Sequence, residues 1–190
     1  MFKRILVAVD GSPTSNRGLK VALQIAQQSG AELHVLHVVN GLVLAHDLSG
    51  GFYGAPDYGD QVLESLRQSG KRIVAKAQAM ADSMGQPVHT LMAETMLNSV
   101  AHEILMQARK LHAELIVLGT HGRRGLMRMV MGSDAEAVLR EARVPVLLVR
   151  APGPRTTTRQ SKGALASRRA RPSSRNAREQ RTVFPAVPLP

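Results

Sequence analysis

The chain has 190 residues, of which 44% are hydrophobic and 3% aromatic, and it contains no cysteine. This composition fits one globular domain with an aliphatic core, and it excludes disulfides, thiolate metal sites and cysteine nucleophiles. The formal net charge is +11, but residues 151–190 hold nine of the 25 basic residues and one of the 14 acidic residues. The first apolar run ends at Asp10 and is too short for a signal-peptide core or a membrane span, so we expect a cytoplasmic protein with no membrane partner.

The first forty residues predict a strand, a helix and a second strand. The run ILVAV at 5–9 is typical of a strand that is buried on both faces. Ser12 and Pro13 predict the start of a helix, as its N-cap and first residue, and Gly30 predicts its end. The run LHVLHVV at 33–39 predicts the second strand, whose two histidines are expected on opposite faces as core or edge residues.

The chain continues to alternate between loops, helices and strands up to residue 150. Residues 41–60 are rich in glycine and predict a loop, and the apolar positions from Leu66 to Met84 predict a helix. The run VHTLM predicts a third strand at 88–92. The remaining predicted elements are a helix at 100–111 capped by Asn98, a strand at 115–118, a helix from Ser133 and a strand at 144–149.

Five predicted strands that alternate with four predicted helices indicate an open α/β domain over residues 1–150. Its strands are expected to be parallel and joined by right-handed crossovers, with helices on both faces of the sheet. Residues 151–190 are rich in Arg, Ser, Thr and Pro and poor in large apolar side chains, which predicts a disordered tail. Ligands of such sheets bind beyond the carboxyl ends of the strands, so we place the candidate site at that edge.

The loop between the fourth strand and the last helix, GTHGRRGLMRMVMGS, is the strongest candidate for ligand binding. Gly119 and Gly122 allow the chain to turn off the strand and expose backbone N–H groups. Gly132 and Ser133 precede the last helix, whose free N–H groups and positive dipole end favour a phosphate. A structural alternative remains open, because Ser133 and Glu136 also have the spacing of a capping box.

Three motifs together resemble the ATP-binding subgroup of the universal stress protein family. They are AVDGS at 8–12, LHVV at 36–39, and Gly-x2-Gly-x9-Gly-Ser at 119–133, which precedes a VPVLLV strand. The resemblance covers residues 1–150 and implies an adenine nucleotide alpha hydrolase-like sheet with strand order 3-2-1-4-5. It also implies a homodimer that forms through the last strand.

The resemblance implies that the carboxyl edge of the sheet binds ATP. Ala8 would lie beside the base, and the backbone of Val38 would contact the edge of the adenine. Asp10 would meet the ribose or a Mg²⁺ ion bound to the phosphates, and Gly119 would approach the ribose. The phosphates would be held by residues of the glycine-rich loop, namely Gly122, Gly132 and Ser133.

Asp134 departs from the pattern of the family, in which an uncharged residue usually follows the Gly-Ser pair. A carboxylate at this position suits the positive end of a helix dipole. It also repels a phosphate unless a cation lies between the two groups. The departure therefore leaves two alternatives open: Asp134 weakens the binding of ATP, or it brings a Mg²⁺ ion to the site.

The sequence supports two functions of different classes. The first is an ATP-binding, stress-responsive regulatory module, which is at most a slow ATPase because no catalytic residues are predicted. The second is a nucleotide-free scaffold whose basic tail binds nucleic acid or another polyanion through phosphate contacts.

Overall fold

The computed structural model describes residues 1–41, 58–120 and 131–150. Most of the predicted loop at 41–60, the part of the glycine-rich loop that contains Gly122, and the predicted tail lie outside these described residues. The elements in chain order are β1 (Arg4–Ala8), α1 (Pro13–Ser29), β2 (Glu32–Asn40), α2 (Tyr58–Ser83), β3 (His89–Thr95), α3 (Val100–Lys110), β4 (Leu115–Gly119), α4 (Ser133–Glu141) and β5 (Val146–Val149). None of the helices in the described part of the chain is long and apolar enough to cross a membrane.

The strands form one parallel sheet in the order β3-β2-β1-β4-β5, which confirms the predicted sheet and its strand order. Residues of α1 and α2 pack on one face of this sheet, and residues of α3 and α4 pack on the other. In the central strand, Ile5, Leu6 and Val7 are all 0% exposed, because helices cover both faces. Burial on both faces explains why β1 and β4 are almost wholly apolar, whereas the edge strand β3 contains polar and apolar residues.

The two ends of α1 lie where the sequence predicts them. The Ser12 backbone is extended, and its side chain accepts a hydrogen bond of 3.1 Å from the N–H of Ser15. Gly30 ends the helix with φ at 67°, in the left-handed region that glycine adopts at little cost. Local capping contacts therefore fix the two ends of α1, whose first turn lies at the carboxyl edge of the sheet.

Several predicted boundaries are wrong. The side chain that caps α3 belongs to Ser99 and not to Asn98, and it accepts a hydrogen bond from the N–H of His102. The helix α2 begins at Tyr58, inside the predicted loop. The third strand continues to Thr95 instead of ending at residue 92, because it pairs with β2 along that strand's whole carboxyl half. The last strand begins at Val146, two residues later than predicted.

Gly70 lies inside α2, where glycine lowers helix stability by about 1 kcal/mol relative to alanine. A Cβ atom at this position would lie 2.9 Å from Cδ2 of His37 and 3.0 Å from Sδ of Met92. The His37 ring is buried, and its Nδ1 lies 2.7 Å from the carbonyl oxygen of Val9, to which it donates as the Nδ1–H tautomer. Gly70 therefore provides the space in which an imidazole holds the end of β1.

His34 is buried near the amino edge of the sheet, as the sequence predicts for a core histidine. Its ring stacks on that of His89, with the ring centroids 5.1 Å apart, and Oε1 of Glu32 lies 3.2 Å from Nε2 of each imidazole. Among the described residues, Nδ1 of His34 has no hydrogen-bond partner, and Nε2 has only the ion-pair contact with Glu32, whose geometry is not that of a hydrogen bond. Burial lowers the pKa of His34 below its ordinary 6.5, since it outweighs the carboxylate of Glu32, and the nearby cationic groups add to the lowering.

We expect the free energy of unfolding to fall as the pH is lowered below about 6.5, and we assign part of this fall to His34. The unfolded chain protonates this residue near its ordinary pKa, whereas the folded chain resists protonation until a lower pH. The stability that neutral His34 contributes is therefore complete above about pH 6.5 and is lost progressively as the pH falls from there towards the lower pKa of the folded chain. Urea unfolding at about pH 7.5 and about pH 5 measures the effect. His34→Phe should reduce the pH dependence and His102→Phe, at an exposed position, should keep it; an unchanged dependence in His34→Phe would contradict the assignment.

Candidate functional site

Asp10 follows β1 at the carboxyl edge of the sheet and is held by the first turn of α1. Its Oδ1 accepts a hydrogen bond of 2.9 Å from the N–H of Ser12. Its own N–H donates to Oγ of Ser15 at 3.3 Å, and that hydroxyl donates to the carbonyl of Ser12. These local bonds orient a partly exposed carboxylate at the point where the central strand ends.

Gly119 ends β4 and lies against the backbone of α1. A Cβ atom on Gly119 would lie 2.9 Å from the amide nitrogen of Ser15 and 3.0 Å from the carbonyl carbon of Thr14. On the other side of the contact, a Cβ on Gly18 would lie 3.6 Å from the amide nitrogen of Gly119. The close approach of α1 is thus a structural reason for glycine at this position, beside the ligand role that the resemblance implies.

Thr120 connects the end of β4 to the start of α4. Its N–H donates to the carbonyl of Val149 at 2.9 Å, and its own carbonyl accepts a bond of 2.9 Å from the N–H of Gly132. The side chain of Thr120 is buried. This chain of contacts brings Gly132 to the edge where Asp10 and Gly119 lie, although 12 residues lie between Gly119 and Gly132 in the sequence.

The first turn of α4 differs from the predicted capping box. Gly132 is the N-cap, with φ at −64° and ψ at 144°, and Ser133 is the first helical residue. The N–H of Glu136 donates to the carbonyl of Gly132, so the capping box of Ser133 and Glu136 is wrong. Because a glycine N-cap has no side chain to accept from the first-turn N–H groups, these groups face the edge without a side-chain cap, and the exposed Asp134 lies among them.

At the carboxyl edge of the sheet, α3 and α4 leave part of the face that they cover elsewhere uncovered. Leu6 in β1 and Leu36 in β2 are 0% exposed. The next residues on the same face of these two interior strands are only half-buried, and so is Ala93, which pairs with Val38 from the edge strand β3. We call the half-buried residues Ala8, Val38 and Ala93 the open apolar strip. This strip lies next to Asp10 and forms an apolar surface that these helices leave uncovered.

The structure therefore brings together most of the residues that the sequence predicts for the site. Asp10, Gly119 and Gly132 are linked by the contacts given above, and Ala8 lies on the strip that ends at Asp10. Gly122 lies outside the described residues. The sequence analysis missed Thr120, because a buried threonine whose backbone bridges two elements has no signature in the sequence.

Metal binding can be judged only for the described part of the chain. There, no group of three or more His, Cys, Asp or Glu residues could hold a metal ion. Mg²⁺ commonly takes one or two carboxylates from the protein and its remaining ligands from phosphates and water. The single carboxylate of Asp10 therefore fits a magnesium ion that arrives with a phosphate ligand, and it does not fit a permanent metal site.

A family model described as the universal stress protein family matches residues 1–150 of the chain. A universal stress protein of Methanocaldococcus jannaschii is 37% identical over 154 residues, which cover 80% of this chain and 84% of the relative. The tail after residue 150 lies outside the family model.

Solved structures give the same result. A protein of this family from Burkholderia pseudomallei is 32% identical with a TM-score of 0.61, over 78% of this chain and 96% of that one. A universal stress protein of Archaeoglobus fulgidus in complex with dAMP has a TM-score of 0.51 at 22% identity, over 77% and 97% of the two chains, and shows a similar fold. Together with the strand order, these likenesses confirm the adenine nucleotide alpha hydrolase-like fold.

Proposed function

The chain belongs to the universal stress protein family, and from this premise we propose that its carboxyl edge binds ATP with Mg²⁺. The observation that carries the proposal is the open apolar strip, which has a carboxylate at one side and an uncapped helix start at the other. An adenine nucleotide needs these three surfaces: an apolar one for the base, a hydrogen-bond acceptor for the ribose and N–H groups for the phosphates. The complex of the Archaeoglobus protein with dAMP supports this class of ligand.

The base and the ribose are assigned to the strands. In the proposed complex the adenine lies on Ala8 and Val38. The pairing of β1 with β2 ends at Ala8 and Leu36, so Val38 lies two residues beyond it, where its backbone can contact a base. Asp10 accepts a hydrogen bond from a ribose hydroxyl or coordinates Mg²⁺, and Gly119 lies beside the ribose.

The phosphates are assigned to the start of α4. The N–H of Gly132 already donates to Thr120, so in our proposal the amides of Ser133 and the next residues bind the phosphates, and Gly132 contributes the absence of a side chain. Asp134 lies in the same turn, and its carboxylate favours a phosphate that carries Mg²⁺ over one that does not. Gly122 remains a predicted phosphate contact.

We propose that nucleotide binding serves regulation and not a dedicated catalytic reaction. Nucleotide binding at an edge shared by three strands and one helix favours the conformation that fits the nucleotide. It therefore changes the fraction of molecules that have the conformation a partner recognises. Any hydrolysis of ATP would depend mainly on the charge of the magnesium ion, and we expect it to be slow. Release of phosphate from ATP at about 1–100 per second, the range typical of protein kinases, would contradict this proposal.

A homodimer through β5 is part of the same proposal. This strand is at the edge of the sheet, and three of its four residues, Val146, Leu147 and Leu148, are only partly buried in a single chain. Pairing with a second copy would satisfy the free backbone groups of the edge and cover these side chains. Sedimentation that shows only monomer at micromolar concentration would contradict it.

Calorimetric titration with Mg²⁺ and ATP tests the proposed ligand. We expect saturable binding by the parent chain and an affinity about 10- to 100-fold lower for Gly132→Val, because the added side chain separates the phosphates from the first-turn amides. Gln28→Val adds the same side chain on an exposed position near the far end of α1 and should bind as the parent does. A parent chain with no affinity for ATP at millimolar concentration would refute the proposal.

A further inference from the structure

A cavity lies at the amino edge of the sheet, opposite the proposed nucleotide site, where α3 and α4 end. Its volume is about 460 Å³, within the range of small-molecule sites. The inner lining is apolar and comes from α3, the turn after it, β4 and the segment before β5; it consists of Leu105, Ala108, Ala113, Ile116 and Val144. Val144 is partly exposed, and the other four are buried. Two of these five residues are alanines, whose small side chains leave the space open. We call this cavity the amino-edge pocket.

The outer lining of the amino-edge pocket is basic. Arg109, His112 and Arg143 are exposed and line the pocket, and we call them the basic rim. Glu141 is the one acidic residue of the lining, and its Oε1 lies 3.4 Å from the guanidinium of Arg140, outside the pocket. The positive charge of the rim therefore exceeds its negative charge, as expected of a surface that receives an anion.

His112 has a backbone conformation that is unfavourable for histidine. It follows the C-cap of α3 with φ at 50°, the only left-handed residue other than glycine among the described residues. Its N–H donates to the carbonyl of Arg109, and the N–H of Ala113 donates to the carbonyl of Ala108, which together form a Schellman motif. Glycine is the usual residue at this position of the motif, so histidine lowers stability here while it places an imidazole at the pocket.

We propose that the amino-edge pocket binds a small organic carboxylate with an apolar chain or ring. The carboxylate lies between the two arginines of the rim, which bind such groups through paired hydrogen bonds. The apolar part lies on Val144, the partly exposed apolar residue of the lining, and on the small exposed faces of Ala108 and Ala113. His112 adds a third hydrogen-bond donor, and this contact accounts for a histidine at a position that favours glycine.

The test uses octanoate as the probe and octanol as the uncharged match, each titrated into the full chain and followed by amide chemical shifts. We expect octanoate to bind with a dissociation constant below about 1 mM and to shift amides at the end of α3 and before β5. Arg143→Gln should weaken this binding at least about fivefold. Arg150→Gln removes the same charge at the carboxyl edge and should leave octanoate binding unchanged.

His112→Gly separates binding from stability. We expect this variant to unfold at a temperature about 2–4 °C higher and to bind octanoate more weakly, because glycine relieves the left-handed backbone and removes the donor. A variant that is more stable and binds octanoate as the parent does would overturn the role of His112. Octanol binding as tight as that of octanoate, or no saturable binding of octanoate, would overturn the proposed ligand class.

Discussion

Gly119→Ala is expected to lower the free energy of unfolding by about 3 kcal/mol, the upper part of the range for overpacked cores. The new Cβ would lie 2.9 Å from the amide nitrogen of Ser15 and 3.0 Å from the carbonyl carbon of Thr14. Both are backbone atoms of the first turn of α1, which is capped and packed on the sheet. Relief of the clash therefore requires the whole helix to move, whereas a flexible side chain could rotate away. Equilibrium unfolding in urea measures the loss.

Gly59→Ala is the matched control for Gly119→Ala. Gly59 lies in the first turn of α2, and a Cβ there would meet no atom within 4 Å. This variant should keep the stability of the parent or gain a few tenths of a kcal/mol, since alanine favours a helix more than glycine does. If Gly119→Ala also kept the parent's stability and lost only ATP binding, the contact with α1 would not be the reason for this glycine.

Leu36→Ala and Val38→Ala are expected to differ strongly, although the two residues lie on one face of β2. Leu36 is 0% exposed, and its truncation should cost about 2–5 kcal/mol, because it leaves a cavity in the core under α3. Val38 belongs to the open apolar strip, and its truncation should cost less than about 1 kcal/mol. Urea unfolding measures both losses, and the two values can be compared if the free energy of unfolding depends on urea concentration with the same slope in both variants.

The contrast between these two positions tests where the core ends. Equal losses of stability would show that Val38 is a core residue and that the strip is not a surface for a ligand. A small loss for Val38→Ala, combined with weaker binding of ATP, would support the placement of the base. The buried Leu36 provides the comparison on the same face of the same strand.

The alternation of strands and helices could be predicted because it depends on local chemistry. Apolar runs with β-branched residues mark strands that are buried on both faces, and Ser12 and Gly30 mark the ends of α1 through hydrogen bonds within one turn. The strand order was not readable from these patterns and came from the resemblance to a family. Parallel pairing joins residues that are distant in sequence, and many strand orders are compatible with one set of apolar runs.

The errors in the predicted helix caps concern positions at which two neighbouring residues could each be the N-cap. Asn98 and Ser99 are both good N-caps, and only the register of α3 on the sheet decides that Ser99 is used. Ser133 fits the N-cap of a capping box, but Gly132, whose N–H donates to Thr120, is the N-cap, and Ser133 is the first residue of α4. A sequence window of a few residues contains neither piece of information.

The candidate site could be located from the sequence, but the reason for Gly119 could not. The glycine was assigned to a ligand, and the structure adds a contact with the backbone at Ser15, more than one hundred residues earlier in the chain. The amino-edge pocket was missed altogether. Ala108 and Ala113 are ordinary core alanines in the sequence, and the cavity appears only when α3 and α4 are packed on the sheet.

The short helix α4 has a consequence for communication across the domain. It has nine residues, which corresponds to a rod of about 13 Å, and its first turn and its last residue belong to two different proposed ligand sites. A helix this short moves as a rigid body, so a displacement at one end also displaces the other end. Thermodynamic reciprocity requires that each ligand changes the affinity of the other by the same factor. Titration of one ligand in the presence and in the absence of the other therefore measures the coupling free energy.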